Sequence, residues 1–237
     1  MSRRAVVLAG GRGTRLRPYT VVLPKPLMPI GEFPILEVIV RQLRKSGFEH
    51  ITLAVNHQAN LIQAFFGQGE RWGVRIDYSI ESQPLSTIAP LLLIGDLPDD
   101  FLLMNGDVLT DLDFGSFLDT HRADGSLFTI AAAQRSQFID YGVLRSDSSG
   151  RLTGFEEKPK VDYLVSMGVY GVNRRALEVV PHGVKFGFDD LMNALLRCGS
   201  PVQVRPYGGY WLDIGRPDDY HRAIEEFAEQ RERFSLS

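Results

Sequence analysis

The chain has 237 residues, 44% hydrophobic and 23% charged, the length and composition of a globular domain able to bury its own core. Its 26 basic against 29 acidic residues give a net charge of −3, which excludes duplex-wide nucleic-acid binding by phosphate neutralisation. A lone cysteine excludes an intrachain disulfide or a multi-cysteine zinc site, and no apolar run approaches a membrane span. The N-terminal Met-Ser-Arg-Arg runs straight into a strand-like segment, too short for a signal peptide. The expectation is a soluble cytoplasmic protein with neither nucleic acid nor membrane as partner.

Residues 5–9 form a buried-strand pattern that delivers the chain into Gly10-Gly11-Arg12-Gly13. Residues 34–46 read as a helix, with Ile35, Val38, Ile39 and Leu43 at spacings of three and four and Gly47 as its stop. A strand at 51–55, a helix at 58–66 closed by Gly67, and a strand at 75–80 continue the alternation. Residues 85–93 follow as a helix carrying Pro90, and 101–104 as a strand ending in Asn105-Gly106-Asp107. Such alternation with short connections predicts a mainly parallel sheet covered on both faces. Beyond Gly125 the texture turns to β, with strands at 127–133, 141–144, 152–157 and 165–172. Asp147-Ser148-Ser149-Gly150 supplies a hairpin turn among them. Helices at 188–197 and 217–233 follow, the second opening on Pro217 in its favoured first-turn position. Cys198 is expected as a small core residue, and no histidine spacing suits zinc. The expected fold is one α/β domain, Rossmann-like, with an open, mixed, mainly parallel sheet, helices on both faces and inserted antiparallel strands.

The strongest local signal is Leu8-Ala9-Gly10-Gly11-Arg12-Gly13-Thr14-Arg15-Leu16. Glycines after a buried strand let the backbone turn tightly and aim amide groups at phosphate oxygens. The loop is neither a Walker A motif, which needs Gly-Lys-Ser/Thr, nor a dinucleotide fingerprint, whose third glycine is replaced by Leu16. A tight turn alone would explain the glycines. Arg12, Arg15, Arg17 and Lys25 close behind them point instead to an anionic ligand such as a triphosphate. Pro24 and Pro26 are expected to hold Lys25 extended, stiff and presented at the surface. Asp107 follows a strand at the edge where open α/β sheets bind ligands, and a carboxylate there suits Mg²⁺. Asp213, in Trp211-Leu212-Asp213-Ile214-Gly215, has a similar setting. Each aspartate taken alone reads rather as a turn or cap residue.

Residues 8–26, Leu-Ala-Gly-Gly-x-Gly-Thr-Arg-Leu-x-Pro-x-Thr-x-x-x-Pro-Lys-Pro, resemble the signature of the sugar-phosphate nucleotidyltransferases. The resemblance extends over nearly the whole chain and implies a GT-A-like fold. It implies nucleotidyl transfer from an NTP to a sugar 1-phosphate, giving an NDP-sugar and pyrophosphate. It makes Arg15 and Lys25 catalytic, Arg15 on the departing pyrophosphate and Lys25 near the α-phosphate. Asp107 and Asp213 would hold Mg²⁺, both at one C-terminal sheet edge on strands running in the same sense. Leu8, Ala9, Gly10, Gly11, Gly13, Thr14, Glu81, Ser86 and Thr87 would bind the nucleotide, within a nucleotide-binding half at 1–125. Asn105, Asp140, Gly142, Glu157 and Lys158 would bind the sugar phosphate, four of them in a sugar-phosphate half at 126–237. The stretch around Gly168 resembles the strand that closes the sugar pocket.

Two departures stand out. The family's base-reading Leu-Gly-Thr-Ala-Gly is here Leu85-Ser86-Thr87-Ile88-Ala89, which leaves the base open. The chain carries no hexapeptide repeats before Ser237, so it is similar to the minimal, single-domain members. The implied activity leans to a mannose- or heptose-type guanylyltransferase. The alternatives are uridylyl or thymidylyl transfer, a non-sugar phosphate as acceptor, or a non-catalytic nucleotide-sugar-binding subunit. Monomer and homodimer are both open.

Overall fold

The computed structural model describes residues 3–81 and 83–234. Met1, Ser2 and Ser237, named above for the chain ends, lie outside the described residues. The first half contains strand β1 (Arg3–Leu8), the short pair β2 (Pro29–Ile30) and β3 (Phe33–Pro34), helix α1 (Ile35–Lys45) and β4 (Phe48–Val55). Helix α2 (Ala59–Phe66), β5 (Arg75–Ile80), β6 (Asp100–Asn105), β7 (Val108–Thr110) and helix α3 (Phe114–Asp124) follow. The second half has β8 (Phe128–Phe138), β9 (Val143–Ser146), β10 (Leu152–Glu156) and β11 (Lys160–Asn173). It ends with α4 (Phe188–Arg197), β12 (Val202–Tyr207), β13 (Trp211–Asp213) and α5 (Pro217–Glu229).

Seven strands form one sheet in the order β12-β8-β11-β6-β1-β4-β5. β1 pairs in parallel with both β4 and β6, and β12 with β8, whereas β11 is antiparallel to its neighbours β6 and β8. Ala5, Val6 and Val7 of central β1 are fully buried, as an unbroken apolar run between two covered faces requires. One core lies under α1, α2, α3 and α5, and a second under α4 and the 3₁₀ turns Ala89–Leu93 and Arg174–Val179. Among the described residues no helix is long and apolar enough to cross a membrane.

The structure departs from several expectations. The helix expected at 85–93 is only the 3₁₀ turn Ala89–Leu93, since Pro90 is tolerated in a first turn but not in a helix interior. α3 was not anticipated; Asp113 caps it by accepting from the amides of Gly115 and Ser116, and Gly125 ends it with φ of 62°. α5 stops at Glu229 rather than 233, and a 3₁₀ turn over Arg231–Phe234 follows. Cys198 is exposed rather than in the core, because α4 ends at Arg197 and the chain turns away at Gly199. β8 and β11 run well past their expected ends, pairing from Ala132↔Ser166 out to Phe138↔Lys160 as a two-stranded ribbon. Beyond it β9 and β10 form their own two-stranded sheet.

Candidate functional site

A cleft of about 440 Å³ opens at the C-terminal ends of β1 and β6. The Ala9 amide donates to the Ala54 carbonyl at 2.8 Å and Gly106 to Leu8 at 2.9 Å, locking three strand ends side by side. Leu8, Ala9, Gly10, Gly11, Glu81, Ser86, Thr87, Lys25, Asn105 and Asp107, all singled out from sequence, line this cleft. Among the described residues the amides of Gly10, Gly11, Arg12 and Gly13 donate to no protein acceptor, and Gly11 and Arg12 are exposed. Such free amides suit phosphate oxygens. Gly13 and Thr14, also expected at the nucleotide, are not among the residues that line the cleft. Gly13 has φ of 59°, a Cβ there would meet Thr20 Cγ2 at 2.8 Å, and its carbonyl accepts from the Thr20 hydroxyl at 2.7 Å.

Lys25 is not a presented surface lysine. It opens a 3₁₀ turn over Lys25–Leu27, is only 8% exposed, and its ammonium pairs with Asp107 Oδ2. The segment is a 3₁₀ turn rather than the extended stretch expected from its prolines, and the turn points the Lys25 side chain inward. Asp107 and Asp213 do converge, by a route other than the expected one. β13 pairs antiparallel with β7, outside the main sheet, with Asp213 opposite Val108, and the Ile214 amide donates to the Asp107 carbonyl at 3.1 Å. Burial raises the Asp213 carboxyl above its ordinary range, and the facing Asp107 carboxylate adds to this, while Lys25 and Arg15 pull it down. Arg15 flanks the acid pair. Its guanidinium and Asp213 Oδ2 both lie within 3.6 Å of where a Cβ on Gly215 would sit. Asp107 Oδ1 is buried with no hydrogen-bond partner among the described residues. An orphaned carboxylate oxygen beside a second, partly destabilised carboxylate is a donor set that fits Mg²⁺.

The opposite end of the cleft is uncharged apart from Glu81. Its carboxylate accepts from the Leu85 amide at 2.9 Å, so it anchors the loop that carries Ser86 and Thr87. The loop is fixed from the other side too. Phe186 donates to the Leu85 carbonyl, Ile88 and Ala89 donate to Phe186, and the Phe188 amide donates to Thr87 Oγ1 at 2.9 Å. Ser86 adopts φ of 74°, the left-handed conformation a glycine would take without strain.

A family model described as nucleotidyl transferase matches residues 4–230. The chain belongs to this family. It is 33% identical to a UTP–glucose-1-phosphate uridylyltransferase of Synechocystis, over 93% of this chain and 62% of the relative. It is 32% identical to a mannose-1-phosphate guanylyltransferase of Mycobacterium tuberculosis, over 92% of this chain and 62% of the relative. The chain thus spans about 62% of the length of both relatives. The crystal structure of HddC from Yersinia pseudotuberculosis superposes with a TM-score of 0.75 at 26% identity, covering 95% of this chain and 99% of that one. The architecture is accordingly the GT-A-like nucleotidyltransferase fold.

Within that fold the residues matched to the sugar phosphate divide into two groups. Asn105 is in the cleft, covered by a break in the β8–β11 ladder. Gly168, at φ of 72°, approaches so closely that a Cβ would lie 2.6 Å from Asn105 Nδ2. Asp140, Gly142, Glu157 and Lys158 are elsewhere, exposed where the ribbon passes into the β9–β10 hairpin. Gly142 and Glu157 do meet: a Cβ on Gly142 would lie 3.1 Å from Glu157 Oε2 and 2.6 Å from the Phe155 ring. None of these four is among the residues that line the cleft. Sequence reading also passed over Asn56, whose backbone packs against Gly10 and which lines the cleft. Its place just after β4, at the same sheet edge, was the available signal.

Proposed function

We propose that this chain transfers a nucleotidyl group from an NTP to a sugar 1-phosphate with release of pyrophosphate. The observation that carries the reading is the meeting, in one cleft, of a loop with free amides and Lys25 on Asp107, with Asp213 and Arg15 close enough to act on that pair electrostatically. A sugar-phosphate oxygen attacks the α-phosphorus in line, a new P–O bond forms, and the bond to the bridging α–β oxygen breaks. The electron pair leaves on pyrophosphate. This chemistry needs alignment and charge neutralisation rather than a covalent intermediate. The amides of Gly10, Gly11, Arg12 and Gly13 hold the β- and γ-phosphates, and Arg15 takes up charge on the leaving pyrophosphate. Lys25 moves its ammonium from Asp107 to the α-phosphate as the nucleotide enters. Asp107 and Asp213 would hold Mg²⁺, which when bound offsets the repulsion between two anionic reactants. Glu81 fixes the loop on which Ser86 and Thr87 face the base, and Asn105 under Gly168 faces the sugar.

Glu157 and Lys158, with Asp140 and Gly142 beside them, are the acceptor-phosphate ligands in this reading, supplied from the ribbon tip. Guanosine as the base is supported by the mannose-1-phosphate guanylyltransferase among the relatives, and uridine by the other. The test is pyrophosphate release over a grid of four NTPs against a panel of sugar 1-phosphates with Mg²⁺. One pair turning over well above the others is expected. Tight nucleotide binding with no pyrophosphate from any pair would sink the reading in favour of a binding subunit.

A further inference from the structure

Three arginines stand in or just behind the glycine loop, in unlike surroundings. Arg15 flanks Asp213, where its charge pulls down a carboxyl that burial raises. Arg17 ends the 3₁₀ turn Thr14–Leu16, and neither of the two lines the cleft. Arg12 does. The charged residues of the cleft wall are Arg12, Lys25, Glu81 and Asp107. Lys25 and Asp107 neutralise one another, and the Glu81 carboxylate is engaged with the Leu85 amide. The Arg12 guanidinium is exposed, with neither an ion pair nor a hydrogen bond among the described residues. A solvated arginine is ordinary on an open surface. One on the wall of a cleft whose other cation is already neutralised is the group that meets an incoming anion. Its neighbours leave room for that anion, because a Cβ on Gly11 would meet no atom within 4 Å and the amides on either side are free.

We propose that Arg12 binds the terminal phosphate of the nucleotide and makes the cleft select a triphosphate over a diphosphate or monophosphate. This rests on the nucleotidyl transfer proposed above. The family signature fixes the glycines, Thr14 and Arg15 and leaves this position open, so the resemblance assigns no role to Arg12. The rest of the ligand is placed without it. Glu81, Ser86 and Thr87 mark the base end, and the Lys25–Asp107 pair marks the reacting phosphate. The glycine loop that carries Arg12 is what remains for the phosphates beyond. The terminal phosphate carries the most charge of the three, and a guanidinium can meet two of its oxygens with parallel N–H donors. Arg15, beside Asp213, then serves the bond that breaks, and Arg12 the far end of the pyrophosphate that leaves. A monophosphate reaches Lys25 but not Arg12, so only the longer ligands gain from it.

The test is calorimetric titration, with Mg²⁺ present, of the tri-, di- and monophosphates of guanosine and of uridine, and of inorganic pyrophosphate. Wild type should bind the triphosphate tighter than the diphosphate and the monophosphate. Arg12→Met removes a charge-assisted contact and should weaken the triphosphate and pyrophosphate about ten- to a hundredfold, leaving the monophosphate within about twofold. Arg12→Lys keeps the charge without the fork and should fall between the two. Because Arg12 is exposed, both variants should melt like wild type. In turnover, Arg12→Met should raise the KM for the NTP and leave that for the sugar 1-phosphate unchanged. Unchanged binding of triphosphate and pyrophosphate by Arg12→Met overturns the assignment. So does equal weakening of monophosphate and triphosphate, which would make Arg12 a support of the loop, or a wild type that prefers no triphosphate. If the preference is present and Arg12→Met abolishes it, yet no substrate pair releases pyrophosphate, the proposed transfer fails while the assignment of Arg12 stands.

Discussion

Lys25 and Asp107 neutralise one another where the lysine side chain has almost no access to water, so removing either leaves the other stranded. The sequence reading of Lys25 as a presented surface group implied that Lys25→Ala would leave stability unchanged. The buried pair reverses that expectation. Losing the ammonium beside a partly exposed carboxylate costs about 1–3 kcal/mol, and a chain of this size loses roughly 2–4 °C of melting temperature per kcal/mol. Lys25→Met should therefore melt several degrees below wild type and lose turnover by orders of magnitude. Millimolar Mg²⁺ should recover part of the melting loss, because a divalent ion takes the ammonium's place on Asp107. A variant that melts like wild type, with or without Mg²⁺, would show that the pair contributes nothing. The two aspartates separate in the same way. Asp107→Asn strands Lys25 and should lower the melting temperature. Asp213→Asn removes a carboxylate already unfavourable beside Asp107, so it should melt at or above wild type. Both should abolish Mg²⁺-dependent turnover; equal destabilisation by the two would refute the charge arrangement drawn here.

The loop carrying Ser86 is an element held from outside, between Glu81 and the start of α4, and this is why it tolerates a serine at φ of 74°. Left-handed backbone costs a non-glycine residue about 1–2 kcal/mol, and glycine returns about 0.5–1 kcal/mol of that through its looser unfolded chain. Ser86→Gly should thus gain up to about 1.5 kcal/mol in urea denaturation, while altering the ranking of NTPs in the substrate grid. A loss above 1 kcal/mol would mean the hydroxyl makes a structural bond. The glycine loop, Glu81, Ser86 and both aspartates were legible in the sequence because short contiguous motifs fix strand ends and turns locally. What was not legible depends on pairing at a distance. Nothing in the residues around Lys25 says that the 3₁₀ turn aims it at Asp107, 82 positions away. The antiparallel β7–β13 ladder that joins Asp213 to Asp107 is likewise a long-range fact. The ribbon extends past 133 and before 165 because each strand satisfies the other's backbone groups, not because either segment carries a strong strand pattern. α3 was legible but missed: Phe114, Phe117, Leu118 and His121 recur at helical spacing and are all buried.

At the scale of the whole molecule the parallel strands have two unlike ends, and the end away from the cleft makes stability depend on pH. There His50 sits between Arg4, which donates to its Nδ1 at 2.5 Å, and Asp77, which accepts from Nε2 at 2.6 Å. Arg4 also pairs with Asp96, and Arg75 with Asp77. Burial, with Arg4 and Arg75 acting the same way, holds His50 below its ordinary value against the pull of Asp77. On α3, His121 is fully buried, bonded through Nδ1 to Thr129 Oγ1 at 2.7 Å, and burial lowers it too, against the pull of Asp100 and Asp124. A base whose folded value is depressed binds fewer protons in the native state than in the unfolded one. Stability therefore stands at its full value above the ordinary histidine range near 6.5 and falls as pH drops through it. Asp213 acts the other way, since its raised carboxyl is relieved by protonation on acidification. Asp77, Asp96 and Asp113 are lowered and titrate below this window. The clean measurement is urea denaturation of Asp213→Asn at pH 8, 6.5 and 5.5, which removes the opposing group. Stability should be flat from pH 8 toward neutrality and decline from 6.5 to 5.5, with His121→Gln in the same background declining less. Constant or rising stability down to pH 5.5 would show that neither histidine is held neutral by the fold.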